Sequence, residues 1–594
     1  MKNSVTPVFA TLFLIITWIV SCYALLKTSF VSFNIALLCY CIFYSIWYKK
    51  NYFNRGLLSK EWLIVPFVFV FFWTLEYVVF FNSQVNFPNL PHNDVLHYLS
   101  ISNGLNQFGQ ENFFRFKNEL FHDFNGVVPY HYFDLWLNAF FSSLFSINSF
   151  YSWNLIMHPL LIMICALAFM SLYEVQSKLD WKGILLAIGF CFYSGLPIEF
   201  PKLALGVANP FLFCKSIVPY FFIILSIIFF FKDLKRYSVV TLLVLTWIYP
   251  TVAPGIYIGL TLFTACAYLL KREGWNFNFL LIALFLSAGL QLAFYKIFGS
   301  GLAPESSTSA VPMSWPEILL SMKAYASQGI KIITRYVFPV ALVYFFARKT
   351  FMLSAIEKRA LEFFVIIGFG GLLFAGLPQH SMVASQLGAN LMGPILIVFS
   401  FIMFQKVITA TPHPSKLSIA VIGILLASCF LLSLANGVYS KPSRIERYSR
   451  DYLASVSAFV TKSKNKLGVF IADSSFFDGV LNKNEDYHYL GKYLKLVSPD
   501  TYVFNLMPDQ LHLNLRDNTE RMFYQRSVYS LLHKKYPLIQ SDSLRIQMLY
   551  ELNPSFLLTS KNIAIPDYIK KHLSDSIVDK KSGERFFIIE SNRR

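Results

Sequence analysis

Charged side chains are scarce in this chain of 594 residues. They make up 14% of the sequence, 55% of the residues are hydrophobic, and the mean hydropathy is +0.50. An average soluble protein has about 25% charged residues. Several apolar runs reach the roughly 20 residues that a bilayer-spanning helix needs. The shortage of charge excludes an ordinary soluble fold and predicts a polytopic α-helical membrane protein.

Cysteine motifs and nucleic-acid-binding motifs are also absent. The 8 cysteines include no Cys-x-x-Cys pair, so the sequence indicates neither a disulfide framework nor a zinc site. The formal net charge is +18, but the Lys and Arg residues mostly flank apolar runs, where they determine membrane orientation. No basic segment interleaved with aromatic residues is present, so we expect a lipid bilayer, and no nucleic acid, as a partner.

Apolar stretches of membrane-spanning character recur through the first three-quarters of the chain. Each is bounded by polar or charged residues, which predicts a transmembrane helix. Pro250 and Pro254 interrupt one region, so two of these stretches are also compatible with a single broken helix. The predicted spans are 7–27, 29–48, 62–82, 153–174, 182–198, 208–231, 237–250, 252–270, 276–298, 330–347, 361–377, 388–406 and 417–437, about 13 transmembrane helices in all.

Clusters of Lys and Arg recur at every second connection between these spans. Under the positive-inside rule the connections that carry them are cytoplasmic, and so is the N-terminus. The segments 82–149, 299–328 and 377–390 then face outward, together with everything after residue 437. The basic residues that define this alternation are Lys49, Lys50, Arg55, Lys60, Lys178, Lys182, Lys232, Lys235, Arg236, Lys271, Arg272, Arg348, Lys349, Lys358 and Arg359.

The last part of the chain is more polar and mixes strand-like with helix-like segments. Apolar runs at 467–472 and 555–559 predict strands, and Ser582-Gly583-Glu584 is typical of a hairpin turn. We therefore predict two domains. Residues 1–437 form the transmembrane domain, and residues 438–594 form a soluble extracytoplasmic α/β domain.

The segment 82–149 is the longest polar interruption in the apolar part of the chain. Asn93 can cap a helix that begins at Asp94, and an acidic residue suits the positive end of a helix. At helical spacing, Asp94, His97 and Tyr98 share one face. A carboxylate and an imidazole would then meet just above the membrane, so we interpret this loop as the candidate active site.

A purely structural interpretation of the same loop stays open. Asp94 would only cap its helix, which is a common role for aspartate, and the histidines would only decorate a wet loop. We favour the functional interpretation because further acidic, imidazole and phenolic groups crowd into this loop, namely Glu111, Tyr130, His131 and Tyr132. His158 and His413, which lie outside it, are interpreted as structural.

Three motifs in the loop resemble the first outer loop of GT-C-type integral-membrane glycosyltransferases. They are Asp94-x-x-His97-Tyr98, Gly109-x-Glu111-Asn112 and Pro129-Tyr130-His131-Tyr132-Phe133-Asp134-x-Trp136. In many bacterial members an Asp followed by His or Tyr begins an apolar helix, and an aromatic–His segment leads into an interfacial helix. The topology and the polar tail are similar to those of uncharacterised bacterial members.

The resemblance implies an inverting glycosyltransferase that moves a sugar from a polyprenyl-phosphate carrier to an acceptor on the outer face of the membrane. Asp94 would be the general base for the acceptor hydroxyl, with His97 as its catalytic neighbour. A cation would stabilise the departing phosphate, and Arg335 is the first candidate because arginine can bind phosphate through two hydrogen bonds. The implied substrate-binding residues are His131, Tyr130, Tyr132, Glu111, Arg335, Lys331, Lys202 and His380. For the two lysines, snorkelling to the lipid headgroups is an equally good explanation.

Some members of this class need a divalent cation. Asp94 and His97 would be its ligands here, but the Asp-x-Asp or Glu-x-Asp pair of the metal-dependent members is absent from this loop, so Mg²⁺ or Mn²⁺ is left open. The expected partners are the polyprenyl-phosphate-linked sugar, a glycan, lipid or protein acceptor, and the bilayer. The implied location is the cytoplasmic (inner) membrane of a bacterium.

Other functions also fit a polytopic topology. A transporter or flippase of lipid-linked saccharides would place polar groups near the bilayer midplane, often in broken helices, and Lys215 with the Pro250–Pro254 break keeps that alternative open. A polymerase or ligase of lipid-linked saccharides would share the donor but usually relies on a large outer loop late in the chain. A scaffold that only presents the tail would leave the Asp94–His97 pair unexplained.

Overall fold

A computed structural model of the chain describes most of the apolar helices and a sheet in the polar tail. The described residues are 5–28, 34–52, 60–80, 93–112, 126–128, 130–195, 211, 214–270, 275–299, 315–316, 319, 323, 330, 334–343, 345, 353–375, 388–409, 416–438, 448–471, 489–498, 500–506, 541–561 and 563–590.

Helices make up nearly all of the regular structure in the described residues before 439. An apolar segment in a bilayer must satisfy its own backbone N–H and C=O groups, and a helix does so within one segment. The helices are α1 (Thr6–Lys27), α2 (Asn34–Asn51), α3 (Ile64–Phe80), α4 (Asn93–Phe108), α5 (Phe133–Phe145), α6 (Ser149–Gln176), α7 (Trp181–Phe190), α8 (Cys214–Phe231), α9 (Lys235–Ile248), α10 (Ala253–Leu269), α11 (Phe277–Phe298), α12 (Thr334–Val343), α13 (Ala355–Ala375), α14 (Gly393–Thr409) and α15 (Lys416–Val438).

Seven helical segments in the described part of the chain are long and apolar enough to cross a membrane. They are Thr6–Lys27, Glu61–Val78, Ser149–Gln176, Pro250–Leu269, Phe277–Phe298, Asn390–Thr409 and Lys416–Leu434. Each of the thirteen stretches expected from the sequence coincides with at least part of a helix. The full number of spans stays a prediction.

Pro250 lies between two helices, and Pro254 lies in the first turn of the second one. The helix α9 ends at Ile248, a 3-10 turn covers Pro250–Val252, and α10 begins at Ala253. Proline has no amide hydrogen to continue the helical ladder, which explains the change of backbone geometry. Tyr249 lies at this junction and is buried.

Two helices lie at the centre of the bundle and two lie at its surface. In the apolar windows of Ser149–Gln176 and Asn390–Thr409, 83% of the residues are buried. The corresponding share is 17% for Glu61–Val78 and for Phe277–Phe298, so these two helices present most of their apolar side chains outward. Such exposure suits contact with lipid and would be unfavourable in water.

Glycine permits the closest helix contact in the bundle, between α10 and α13. A Cβ atom at Gly259 would lie 2.4 Å from the Cα atom of Ile367, and one at Gly370 would lie 2.4 Å from the backbone nitrogen of Gly259. Any larger side chain would therefore push the two backbones apart. Small residues at helix contacts are the usual way in which membrane helices gain packing contacts.

Basic residues gather at one end of the bundle, which we call the basic end. Lys49 and Lys50 are at the end of α2, and Lys235 begins α9. Cross-contacts show that these helix ends meet: the Lys232 amine donates a hydrogen bond to the Tyr52 hydroxyl, and the Lys235 amine lies over the Trp275 ring. The described clusters thus share one end, as the alternation of loops predicts. Which side of a membrane this end faces stays a prediction.

The tail contains a mixed five-stranded sheet. Its strands are β1 (Leu467–Ile471), β2 (Tyr502–Asn505), β3 (Phe556–Thr559), β4 (Leu573–Val578) and β5 (Arg585–Ile589), in the order β2-β1-β3-β5-β4. β1 pairs in parallel with β2 and β3, whereas β5 pairs antiparallel with β3 and β4. The accompanying helices are α16 (Arg450–Lys462), α17 (Tyr489–Val497), α18 (Ser541–Leu552) and α19 (Asp567–Lys570). The strands lie where the sequence predicts them, while the domain boundary and the outward location stay predictions.

Candidate active site

The helix α4 carries the two residues assigned as catalytic. It begins at Asn93, as expected, but runs through Gly104 and ends only at Gly109. Gly109 has a φ of +58°, and a Cβ atom there would lie 2.1 Å from the carbonyl oxygen of Lys27. Only glycine allows both this backbone conformation and this close approach to the end of α1.

The side chains of Asp94 and His97 lie outside the described part of the structure, and only their backbone positions in α4 are described. Two residues on the same helical face, Tyr98 and Ile101, are buried. Residues on other faces, such as Leu96 and Leu99, are buried as well, so this stretch of α4 lies in the protein interior. The roles of Asp94 and His97 stay predictions.

His131 lies in a buried aromatic cluster beside Tyr98. Its ring stacks on Tyr130 and Tyr249, with centroid distances of 4.2 and 5.2 Å, and the edge of the Tyr98 ring approaches at 5.0 Å. Only 3% of His131 is exposed. The structure thus brings together His131, Tyr130 and the helix that carries Asp94 and His97, and it adds Tyr249 from the Pro250 junction, which the sequence did not single out.

Asp134 is the charged partner of His131. Its Oδ1 atom lies 3.1 Å from His131 Nδ1, and the Asp134 side chain is completely buried. The other oxygen, Oδ2, has no hydrogen-bond partner within the described residues, and neither has the side-chain amide of Asn138, one turn further along α5. The spacing His-x-x-Asp at the start of a helix was the available signal for this pair. The first half of α5 is buried and does not lie on the surface.

Glu111 and Tyr132 hold the loop around this cluster. Glu111 Oε1 accepts hydrogen bonds from Asn34 Nδ2 at 2.8 Å and from Trp136 Nε1 at 2.7 Å, and thereby joins α2 to α5. The Tyr132 hydroxyl donates to the carbonyl oxygen of Val128 at 2.9 Å. These contacts brace the site, and substrate contact by either residue stays a prediction.

Arg335 is half-buried at the start of α12. Its Nε donates a hydrogen bond of 2.6 Å to the carbonyl oxygen of Ser194, which follows α7. This contact fixes the guanidinium group against the backbone and orients it. The other three residues proposed around the substrate, Lys202, Lys331 and His380, lie outside the described residues.

No described cavity contains a residue of the predicted site. One described cavity, of about 350 Å³, lies at the basic end between Asp233–Tyr237 and Trp275–Phe279 and has charged lining residues. In the described part of the chain, no three His, Cys, Asp or Glu side chains converge in a way that could hold a metal ion. A divalent cation at Asp94 and His97 stays a prediction.

The structure contains a second carboxylate–imidazole pair that was not predicted from the sequence. His158 Nδ1 lies 2.9 Å from Glu76 Oε1, with side-chain exposures of 7% and 1%. From the sequence, His158 was interpreted as structural and Glu76 was given no role. The two residues are far apart in the chain, so no local pattern links them. A lone acidic residue in the predicted span 62–82 was the available signal, since ionised residues inside membrane helices are costly.

The tail contacts α4 and the connection after α5. Asn148 Nδ2 donates to the carbonyl oxygens of Leu496 and Val497 at the end of α17, at 2.9 and 3.2 Å. The side chain of Tyr502 in β2 also lies beside that of Ser100 in α4. The helix that bears the candidate catalytic residues is therefore supported from the tail.

Comparison with known proteins gives likenesses to solved structures. No protein-family model and no curated protein sequence matches the chain. The chain is similar to the crystal structure of the Archaeoglobus fulgidus oligosaccharyltransferase in its apo form, with 11% identity, a TM-score of 0.40, and coverage of 85% of this chain and 70% of that one. A TM-score this low carries no argument about fold or activity, so the case for a function rests on the residues of this chain.

Proposed function

We propose that this protein is a membrane glycosyltransferase that moves a sugar from a polyprenyl-phosphate carrier to an acceptor hydroxyl. One observation carries the proposal: the helix with Asp94 and His97 packs through Tyr98 against the buried His131–Asp134 pair, beside the ends of apolar helices. Acid–base side chains gathered in a buried aromatic setting are typical of a reaction site. The resemblance of the loop motifs to GT-C enzymes supports the same proposal.

In the proposed reaction Asp94 accepts the proton of the acceptor hydroxyl as its oxygen attacks the anomeric carbon. A bond forms between that oxygen and the anomeric carbon, and the bond from this carbon to the phosphate oxygen breaks. The electron pair leaves with the polyprenyl phosphate, whose negative charge Arg335 stabilises. A single displacement of this kind inverts the anomeric configuration.

The decisive experiment compares Asp94→Asn with wild type in membranes supplied with radiolabelled polyprenyl-phosphate sugars. Removal of a general base lowers rates by about 10²- to 10⁴-fold, and we expect a loss in that range at normal protein levels. Asp575→Asn, which changes an exposed carboxylate in β4, is the matched control and should keep full transfer. Unchanged transfer by Asp94→Asn would refute the assigned base.

A transporter or flippase of lipid-linked saccharides is the second candidate. The Glu76–His158 pair favours it, because both residues lie within segments long and apolar enough to span a membrane, where ionisable groups often mark transport pathways. Proteoliposomes decide between the two candidates. Movement of a labelled lipid-linked sugar across the bilayer without sugar transfer would establish transport, whereas transfer without net movement supports the enzyme.

A further inference from the structure

Glu76 faces the interior of the bundle although its helix is mostly exposed. In α3 the buried positions Val68, Phe72 and Glu76 recur every four residues, while Phe67 and Val78 on the other faces are 76% and 61% exposed. Residues four apart lie on one side of a helix. The carboxylate therefore occupies the last inward position of this stripe, one turn before the helix ends at Phe80.

A π turn places His158 opposite this carboxylate. Residues Trp153–Met157 form a π-helical turn within α6, in which the amide of His158 donates to the carbonyl oxygen of Trp153, five residues earlier. Pro159 lacks an amide hydrogen, and its ring crowds the carbonyl group four residues before it, so the regular ladder cannot continue here. Such π turns are frequent at functional sites because they shift the direction of the next side chain.

The pair is incompletely hydrogen-bonded. Glu76 Oε1 contacts His158 Nδ1 at 2.9 Å, but Glu76 Oε2 and His158 Nε2 have no partner among the described residues, although both side chains are more than nine-tenths buried. Glu76 Oε2 accepts hydrogen bonds, and in the neutral ring with its hydrogen on Nδ1, His158 Nε2 accepts as well. In that state the pair presents two buried acceptors side by side.

Two adjacent acceptors call for a ligand with two donors. A phosphate group is a poor fit because the free carboxylate oxygen repels it, and a metal ion lacks a third ligand among the described side chains. The hydroxyl groups of a sugar fit, since each supplies one donor hydrogen. On the basis of the proposed glycosyl transfer, we propose that Glu76 and His158 bind hydroxyl groups of the sugar that is transferred.

The location of the pair is consistent with this role. The same π turn carries Trp153, whose ring stacks on Tyr98 with a centroid distance of 5.6 Å. Tyr98 in turn contacts His131 and belongs to the helix of Asp94. Trp153 and Tyr98 thus connect the π turn that precedes His158 with the aromatic cluster around His131.

The test assays two enzyme variants with sugar donors that each lack one hydroxyl group. The donors are the polyprenyl-phosphate hexose that the wild type uses best and its four single-deoxy analogues. A site built to bind a hydroxyl strongly rejects the analogue that lacks it. We expect one or two deoxy donors to lose at least tenfold in kcat/KM with wild type, and this penalty to fall below threefold in both Glu76→Gln and His158→Gln. Glu174→Gln, in the same α6 helix but at the basic end, is the control and should retain the full penalty.

Each alternative outcome is informative. If every deoxy donor suffers the same penalty in wild type and in both variants, the two acceptors are satisfied by water alone and the proposal is wrong. If only an amino-sugar donor is discriminated, the ligand is an ammonium group and the hydroxyl assignment is wrong.

A binding measurement separates this inference from the proposed function. In nanodiscs, wild type should bind the polyprenyl-phosphate hexose at least tenfold more tightly than bare polyprenyl phosphate, and Glu76→Gln should remove that difference. If wild type transfers no sugar but shows this preference, the enzyme proposal fails while the sugar site stands. Equal binding of both lipids by wild type would overturn the site even if transfer is observed.

Discussion

The two ends of the helical bundle pair their buried and half-buried carboxylates differently. At the basic end, Glu174 accepts hydrogen bonds from the backbone amides of Val5 and Thr6, at 2.8 and 2.9 Å. In the same region Glu357 forms an ion pair of 2.8 Å with Lys406. These carboxylates are occupied by groups that hold helix ends together, which is how buried charges are normally accommodated.

At the opposite end, two buried carboxylates are each paired with a histidine and retain an oxygen without a partner within the described part of the chain. They are Asp134 beside His131 and Glu76 beside His158. Glu111 at this end is different, since Asn34 and Trp136 donate to it. An unsatisfied buried polar atom costs stability, so its persistence calls for an explanation such as a ligand. The contrast indicates that one end of the bundle is built for stability and the other for binding or chemistry.

The largest effect expected from this contrast is a loss of stability at the basic end. Glu357→Ala leaves the Lys406 amine without its carboxylate in a setting where only 27% of that side chain is exposed. Breaking a buried pair costs about 3 kcal/mol or more, and the partial exposure of Lys406 reduces the expected loss to about 2 kcal/mol. The free energy of unfolding, measured by SDS titration of the purified protein, checks this value.

The control is Asp233→Ala, which removes a 79% exposed carboxylate that lies 3.6 Å from Lys235 at the same end. It should change the free energy of unfolding by less than about 0.5 kcal/mol. Sugar transfer per folded molecule should be normal in both variants. A stable Glu357→Ala protein with reduced transfer would contradict the division of roles between the two ends.

For Asp134→Asn we expect reduced activity with little change in stability, which is the reverse of the pattern expected for Glu357→Ala. The amide keeps the size of the side chain but not the charge that orients the His131 ring, and loss of such an orienting carboxylate costs about tenfold in activity. The free energy of unfolding should change little, because the unpaired oxygen contributes no contact. Transfer assays and SDS titration on the same preparation test both parts. Asp180→Asn, at the start of α7 near the basic end, should alter neither quantity, since Asn caps a helix as well as Asp.

Most of the helical architecture could be predicted from the hydrophobic periodicity and the basic loops of the sequence. All thirteen predicted spans coincide with helices, and the strands near 467 and 555 are present, because both features depend on local patterns. Gly104 lies inside α4, which continues to Phe108 before Gly109. A single glycine costs only about 1 kcal/mol in a helix, and packing of α4 offsets that cost.

The site was less accessible from the sequence because its contacts link distant residues. The cluster 130–132 could be recognised from its neighbours, and Asp134 was within one helical turn of it. Glu76 and His158 are separated by the whole of the outer loop, and Tyr249 approaches His131 from a different helix end. No spacing rule predicts such pairings, which depend on helix packing and on the π turn before Pro159.

A buried lysine tests whether the contrast between the two ends of the bundle extends to the tail. Lys495 in α17 is 3% exposed, and its amine lies 4.5 Å from the centre of the Tyr502 ring, next to the contact between β2 and α4. Burial disfavours the charged amine and lowers the pKa of Lys495 to about 7. Between pH 7 and about 10.4, the usual lysine pKa, the unfolded chain binds a proton that the folded chain does not, so stability should rise with pH across this window.

The free energy of unfolding, measured at several pH values, tests this expectation. In Lys495→Met most of the rise should be lost, whereas Lys571→Met, which changes an exposed lysine, should keep it. An unchanged slope in Lys495→Met would show that the tail contact accommodates a charged amine.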